Sequence, residues 1–192
     1  MAERAVSTYT YEEYLALEAN PGQKHEYHDG MITAMAGGSP RHGQLAMNIG
    51  RVIGNALEAK ASSCIVYNSD VKVRIDASNR TFYPDLSVVC GELIASSKDA
   101  HAIANPTLII EVLSESTADF DRGVKFAHYR RLPSLRQYVL ISQDRVLLDS
   151  YFRTEADTWE IRTYESLNDL IELKSLAISF ELSAVYYQIS DL

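Results

Sequence analysis

Two acidic residues interrupt segments of this chain that otherwise look like buried strands: Asp85 in Tyr83-Pro84-Asp85-Leu86-Ser87-Val88-Val89, and Glu111 in Thr107-Leu108-Ile109-Ile110-Glu111-Val112-Leu113. A lone carboxylate in a core strand is costly to desolvate, so two in such close succession call for something that compensates their charge. A divalent cation is the simplest candidate. Hard cations such as Mg²⁺ prefer carboxylate and carbonyl oxygens, and usually take one or two carboxylates from the protein while other positions go to water and substrate phosphate. Two acids on neighbouring strands suffice.

A chain of 192 residues with 46% apolar content suits one domain over residues 1–192, with its core in about residues 9–142. No apolar run approaches the roughly 20 residues of a membrane span, and Met1-Ala2-Glu3-Arg4-Ala5-Val6 lacks the basic start and apolar stretch of a signal peptide. The expected location is therefore the cytoplasm, with no membrane partner. Cys64 and Cys90 both lie in apolar, strand-like surroundings. They read as buried free thiols rather than a disulfide, and are too few for a thiolate metal site.

The net charge of −8 weighs against a nucleic-acid partner, because sequence-independent DNA affinity comes mostly from Lys and Arg meeting phosphates. Its distribution softens that objection. The acids concentrate in residues 155–192, whereas Arg122, Lys125, Arg130, Arg131 and Arg136 follow one another with no acid between them. That run is either a solvated helix face or a phosphate-facing patch.

Thr10 and Glu13 form a capping-box pattern that opens a helix from Tyr11 to about Glu18, which Pro21-Gly22 ends. A hairpin follows, with residues 25–28 and 31–35 flanking Asp29-Gly30. Ser39-Pro40 starts a helix to about Lys60, whose apolar stripe is Leu45, Ile49, Val52, Ile53 and Leu57. Alternation from Cys64 to Ile75 predicts strand, and Gly91 to Asn105 a loop with a short helical piece. A helix from about Ala118 to Arg131, closed by Pro133, precedes a buried strand over Gln137–Ile141. A hairpin over Val146–Arg153 and Trp159–Tyr164 and a short helix over Leu182–Ile189 complete a mixed α/β (α+β) pattern.

A Pro-Asp at a strand start, then an apolar strand with an embedded Glu, resembles the PD-(D/E)XK nuclease superfamily. Tyr83-Pro84-Asp85, Ile109-Ile110-Glu111-Val112-Leu113-Ser114, then Thr117, Asp121, Lys125 and Tyr129, with Glu26 before Asp29-Gly30 and His42 in the next helix, resemble more narrowly the Uma family of proposed restriction endonucleases. The likeness runs from about Tyr9 to Ile141. It implies a restriction-endonuclease-like mixed sheet flanked by helices, and Mg²⁺ or Mn²⁺ held by Asp85, Glu111 and the backbone carbonyl of Val112. It further implies hydrolysis of DNA phosphodiesters by a metal-activated water, and, by analogy with the superfamily, a homodimer.

The lysine that the superfamily places two residues after the acid is replaced by Leu113, which has no proton chemistry. Lys125 is the expected substitute, returned to the site by the helix after the Glu111 strand; the bland alternative is an ion pair with Asp121 one turn earlier. The resemblance gives Glu26 a supporting carboxylate role, against a surface hairpin acid paired with Lys24. His42 and Asp121 are accessory candidates, and Arg122, Arg130 and Arg131 candidate substrate contacts. Asp70 and Lys72 are equally well placed near the site or in solvent. Two other classes stay open: a catalytically silent nucleic-acid-binding or protein-interaction module that keeps the fold, and a phosphohydrolase acting on other phosphate esters.

Overall fold

The computed structural model describes residues 8–20, 22–35 and 37–190. Pro21 and the N-terminal stretch read above for a signal peptide lie outside the described residues. Two six-stranded sheets form the frame. The first, in spatial order, contains β12 (Trp159–Tyr164), β11 (Leu148–Arg153), β10 (Gln137–Ser142), β9 (Leu108–Leu113), β6 (Leu86–Cys90) and β3 (Cys64–Asn68). The second contains β2 (Met31–Ala34), β1 (His25–His28), β5 (Arg80–Phe82), β4 (Lys72–Ile75), β8 (Asp99–Ile103) and β7 (Ala95–Ser96). A separate hairpin, β13 (Leu170–Leu173) with β14 (Ile178–Glu181), follows.

The central strands β6, β9 and β10 of the first sheet are buried on both faces, as the continuous apolar run of β9 requires. Leu108, Ile110 and Val112 face Leu45, Ile49, Ile53 and Leu57 of α2 (Pro40–Ala59), with the β13–β14 hairpin against the same core. Ile109 and Leu113 face the second sheet and the aromatic group of Phe82, Tyr129 and Tyr138. Each buried Leu or Ile contributes about 1.5–3 kcal/mol, so these two layers fix the side to which every β9 residue points. Glu111 falls on the side facing the second sheet.

Strands β9 and β10 are parallel, with Glu111 opposite Leu140. A parallel pair needs a crossover, and the helical stretch between them supplies it. It runs through α3 (Ala118–Phe120), a π turn over Asp121–Lys125, and α4 (Phe126–Tyr129). The crossover returns across the face that holds Glu111. The wide turn buries both of its acid and base ends, Asp121 and Lys125, in keeping with the frequent use of single π turns at functional sites.

Near the N-terminus, the Thr10–Glu13 capping box is formed and opens α1 (Tyr11–Glu18). Asp29 and Gly30 both take positive φ, 51° and 98°, as a two-residue hairpin turn demands.

Four expectations are corrected. Residues 91–105 contain β7 and β8 rather than a loop with a helical piece: β8 pairs in parallel with β4, and small residues had concealed a strand whose Ala102 and Ile103 are buried. Cys64 and Cys90 form a disulfide rather than free thiols, because the β3–β6 register sets them directly opposite each other. The C-terminal stretch holds only a 3-10 turn, Leu182–Ala184, since Leu182, Val185 and Tyr186 are pinned into the α2 core and the Tyr186 hydroxyl donates to the Ser142 carbonyl at 2.7 Å. The Ala118–Arg131 helix stops at Tyr129 and is broken by the π turn.

Candidate active site

Strands β6 and β9 are antiparallel, pairing Leu86 with Ile110. One step further along that register sets Asp85 opposite Glu111. The backbone interlocks the two acids: the Val112 N–H donates to Asp85 Oδ2 at 2.7 Å, and the Asp85 N–H donates to Glu111 Oε2 at 3.4 Å. The two carboxylates therefore share one side of the sheet, with the Val112 main chain between them.

Lys125 closes over this pair. Its Nζ lies 3.0 Å from Glu111 Oε1, 3.4 Å from Asp121 Oδ1 and 3.5 Å from Glu26 Oε1. Tyr129, one turn on, donates its hydroxyl to Glu111 Oε1 at 3.2 Å. The Phe82 ring sits under the ammonium, 5.6 Å from its centroid, an arrangement that adds cation–π attraction. Glu26 arrives from β1, held by the Tyr83 N–H at 3.4 Å and flanked by His28 Nε2 at 3.5 Å.

His42 reaches the site from the first turn of α2. Ser39 accepts the His42 N–H at 3.1 Å, capping the helix, and the imidazole Nε2 stands 2.7 Å from Asp85 Oδ1. Gly38 makes room for the ring, since a Cβ there would lie 2.9 Å from His42 Cδ2. His42 and Asp85 are also the open side of the cluster: their side chains are 21% and 17% exposed, against 9% for Lys125 and 5% for Glu111.

Electrostatics follow from this layout. Three carboxylates (Glu26, Glu111 and Asp121) surround one lysine, and Asp85 adds a fourth acid beside Glu111. Burial, reinforced by Asp85 and Asp121 and opposed by Lys125, pushes the Glu111 carboxyl up to about 8. Burial alone would lower the Lys125 ammonium, but Glu111, Glu26 and Asp121 carry it well above its usual range. The hydrogen bond to Asp85 raises His42 despite burial. The cluster is short of positive charge, and a cation is what such a donor set accommodates. Among the described residues, no three His, Cys, Asp or Glu side chains form a ready-made metal cage; a hard cation that keeps several waters does not need one.

A family model named Uma2, described as "Putative restriction endonuclease", matches residues 11–185. The chain belongs to the Uma2 family. Two relatives of Synechocystis sp. (strain ATCC 27184 / PCC 6803 / Kazusa) bear uncharacterized-protein names. The protein slr1290 is 38% identical over 175 residues, covering 91% of this chain and 90% of its own, and sll1609 is 34% identical over 169 residues, covering 88% and 94%. A crystal structure described as a putative nuclease belonging to DUF820, from Anabaena variabilis ATCC 29413, superposes with a TM-score of 0.74. It is 16% identical, and the match covers 93% of this chain and 97% of that one. The fold is restriction-endonuclease-like.

In this Uma2 chain the structure brings together Asp85, Glu111, Lys125, Glu26, Asp121 and His42 from five separate elements and connections. Lys125 meets Asp121 and Glu111 together, so the ion pair with Asp121 does not draw it away from the strand acid. Lys24, the alternative partner of Glu26, pairs instead with Asp70 at 2.6 Å, and Lys72 pairs with Asp99 at 2.8 Å, so Asp70 and Lys72 are engaged outside the site. Arg122 pairs with Asp149 at 2.5 Å. Arg130 and Arg131 line a surface depression elsewhere, with Arg136 and Arg153. The aromatic support from Phe82 had no signal in the sequence and comes from pairing within the second sheet; the contact of His28 with Glu26 is that of residues two apart on one strand face, a signal present in the predicted hairpin strand.

No helix among the described residues is long and apolar enough to cross a membrane.

Proposed function

We propose that this Uma2 protein is an endodeoxyribonuclease that hydrolyses DNA phosphodiesters with water as the nucleophile and Mg²⁺ or Mn²⁺ as cofactor. The observation that carries this reading is the convergence of Asp85 and Glu111 across β6 and β9 beneath the Lys125 ammonium. Asp85, Glu111 and the Val112 carbonyl are the oxygen donors for the cation. Once bound, a divalent ion supplies Lewis-acid polarisation of the phosphoryl group and acidifies a water.

The remaining work belongs to the chain. Lys125, held charged by three carboxylates, donates hydrogen bonds to the phosphate oxygens on which negative charge builds, an effect strengthened by its dry surroundings. Glu26 keeps that ammonium aimed, and Tyr129 fixes the Glu111 carboxylate. His42 orients Asp85 and stands at the open side, where a phosphate group enters. Asp121 completes the charge balance around Lys125. A homodimer would bring two such sites to two strands; Ile161 on β12 and Tyr187, 61% and 57% exposed, offer apolar contact. Tyr186 does not, because it is buried.

The test is plasmid cleavage titrated with Mg²⁺ and Mn²⁺, alongside calorimetry of metal binding. Asp85→Asn and Glu111→Gln should each abolish cleavage and weaken metal uptake; cleavage that persists unchanged in both rejects the assignment. The silent-module reading draws on Leu113 and the net charge of −8. An intact fold that takes up neither metal would favour it.

A further inference from the structure

Away from the acid cluster, where α4 hands over to β10, a depression of about 460 Å³ is lined by Arg130, Arg131, Arg136 and Arg153, together with Glu155 and Asp157. Arg153 is committed to structure: its guanidinium donates to the Leu132 and Arg130 carbonyls, meets Asp157 at 3.1 Å and lies over Trp159. Arg130, Arg131 and Arg136 are different. All three are exposed, and none has an ion-pair or side-chain hydrogen-bond partner among the described residues. Three free guanidinium groups at one depression of an otherwise acidic protein repel one another and are retained there against the overall charge.

The positive stretch extends toward the acid cluster. The His128 ring is held below its usual range by burial, then by the charges of Arg80 and Arg131. Arg80 sits opposite His28 in the β1–β5 register, and His28 contacts Glu26. The rings of His28, Phe82 and His128 adjoin one another, so Arg80 and Arg131 lie along a route from the buried Glu26 side of the cluster to the depression. Arg136 precedes β10, whose Leu140 is opposite Glu111; four residues of strand set the Arg136 backbone about 13 Å from the level of Glu111 along the sheet. That is a few nucleotides of backbone, at about 3.4 Å per phosphate along a strand.

We infer that Arg130, Arg131 and Arg136 form a binding site for the sugar-phosphate backbone of the DNA, flanking the point of cleavage and engaging phosphates regardless of sequence. This deepens the nuclease reading and rests on it. The planar fork of Arg suits bidentate grip of phosphate oxygens, and the exposed side chains bind without first breaking internal pairs.

The experiment measures DNA affinity of the full-length protein by fluorescence anisotropy, in chelator so that nothing is cut, over 50 to 200 mM NaCl, with cleavage assayed separately in Mg²⁺ or Mn²⁺. Each lost phosphate contact lowers the slope of log affinity against log salt by about 0.9. The triple variant Arg130→Gln/Arg131→Gln/Arg136→Gln should therefore lose a slope of about 2.7, so that wild type gives up about 40-fold more affinity than the variant across that range. The triple Arg→Lys variant should keep the wild-type slope; if the triple Gln variant folds poorly, the single variants Arg130→Gln, Arg131→Gln and Arg136→Gln should each lose about 0.9 of slope, and wild-type slopes in all three overturn the site. A Gln variant that binds with the wild-type slope overturns the site, and leaves the nuclease reading standing if wild-type protein cuts. Absence of salt-dependent binding by wild type also overturns it, and the cleavage assay alone then judges the nuclease reading. Preference for poly-glutamate over DNA, lost in the Gln variant, overturns it in favour of an acidic protein partner.

Discussion

The Lys125 ammonium stands 3.0 Å from the Glu111 carboxylate, and both side chains are more than nine-tenths buried. The pair joins the crossover helix to the strand that it follows. Removing one member of a buried pair leaves a charge without compensation and costs about 3–5 kcal/mol. Lys125→Met should lower unfolding stability by that amount, measured by urea denaturation. Lys125→Met/Glu111→Gln should recover part of the loss; a double variant that simply adds the two single effects would show that the residues are not coupled.

His42 touches Asp85 from a separate helix, so its removal should spare the fold and reduce the chemistry. His42→Ala is expected to weaken metal affinity or cleavage about 10–100-fold, the range found for side chains that orient a metal ligand. Gly38→Ala should mimic it in part by displacing the ring. Calorimetry and cleavage on the same preparations check both, with circular dichroism unchanged.

A second buried pair, Lys72 with Asp99 at 2.8 Å, sets a pH dependence outside the site. Burial raises the Asp99 carboxyl, but the Lys72 hydrogen bond, the His101 N–H and the Lys72 charge outweigh it, and the net effect holds it below its ordinary value. A depressed carboxyl contributes stability that is fully present above its unfolded value of 3.8 and is lost as pH falls through the lower folded value. Urea midpoints of wild type should therefore drop on acidification below about pH 4. Asp99→Asn should start about 3–5 kcal/mol lower, with Lys72 left unpaired, and show a shallower acid slope.

The Cys64–Cys90 bond closes a sequence separation of 26 residues. The chain-entropy relation for a loop of that size gives about 3.5 kcal/mol. Cys64→Ala/Cys90→Ala should lose stability toward that figure, and thiol titration of the denatured, unreduced protein should find no free thiol. Titration of two thiols would show the bond to be absent.

The path from sequence to site was legible where local rules and burial agreed. Asp85 and Glu111 stood out because carboxylates in apolar strands need an explanation, and the capping box at Thr10, the Asp29-Gly30 turn and the α2 stripe each carry a short-range signal. What depended on register stayed hidden. The Cys64–Cys90 bond follows from one cross-strand pairing, and β8 from its parallel partner β4 rather than from the pattern of Asp99-Ala100-His101-Ala102-Ile103. The π turn could not be read because a helical pattern from Ala118 to Tyr129 accommodates one widened turn without any change in residue type. The position of Lys125 over Glu111 was expected only from family likeness and from a helix returning after the Glu111 strand.

Glu111 lies on a rigid central strand, Asp85 just before another, and Lys125 on a short, irregular connecting helix; on the proposed mechanism, grip on the cation and readiness to cut would reside in parts that can be uncoupled. A change that loosens only the connecting piece would leave a protein that still takes up metal yet sits idle on its substrate. If the proposed mechanism holds, inactive descendants would arise without any substitution at Asp85 or Glu111.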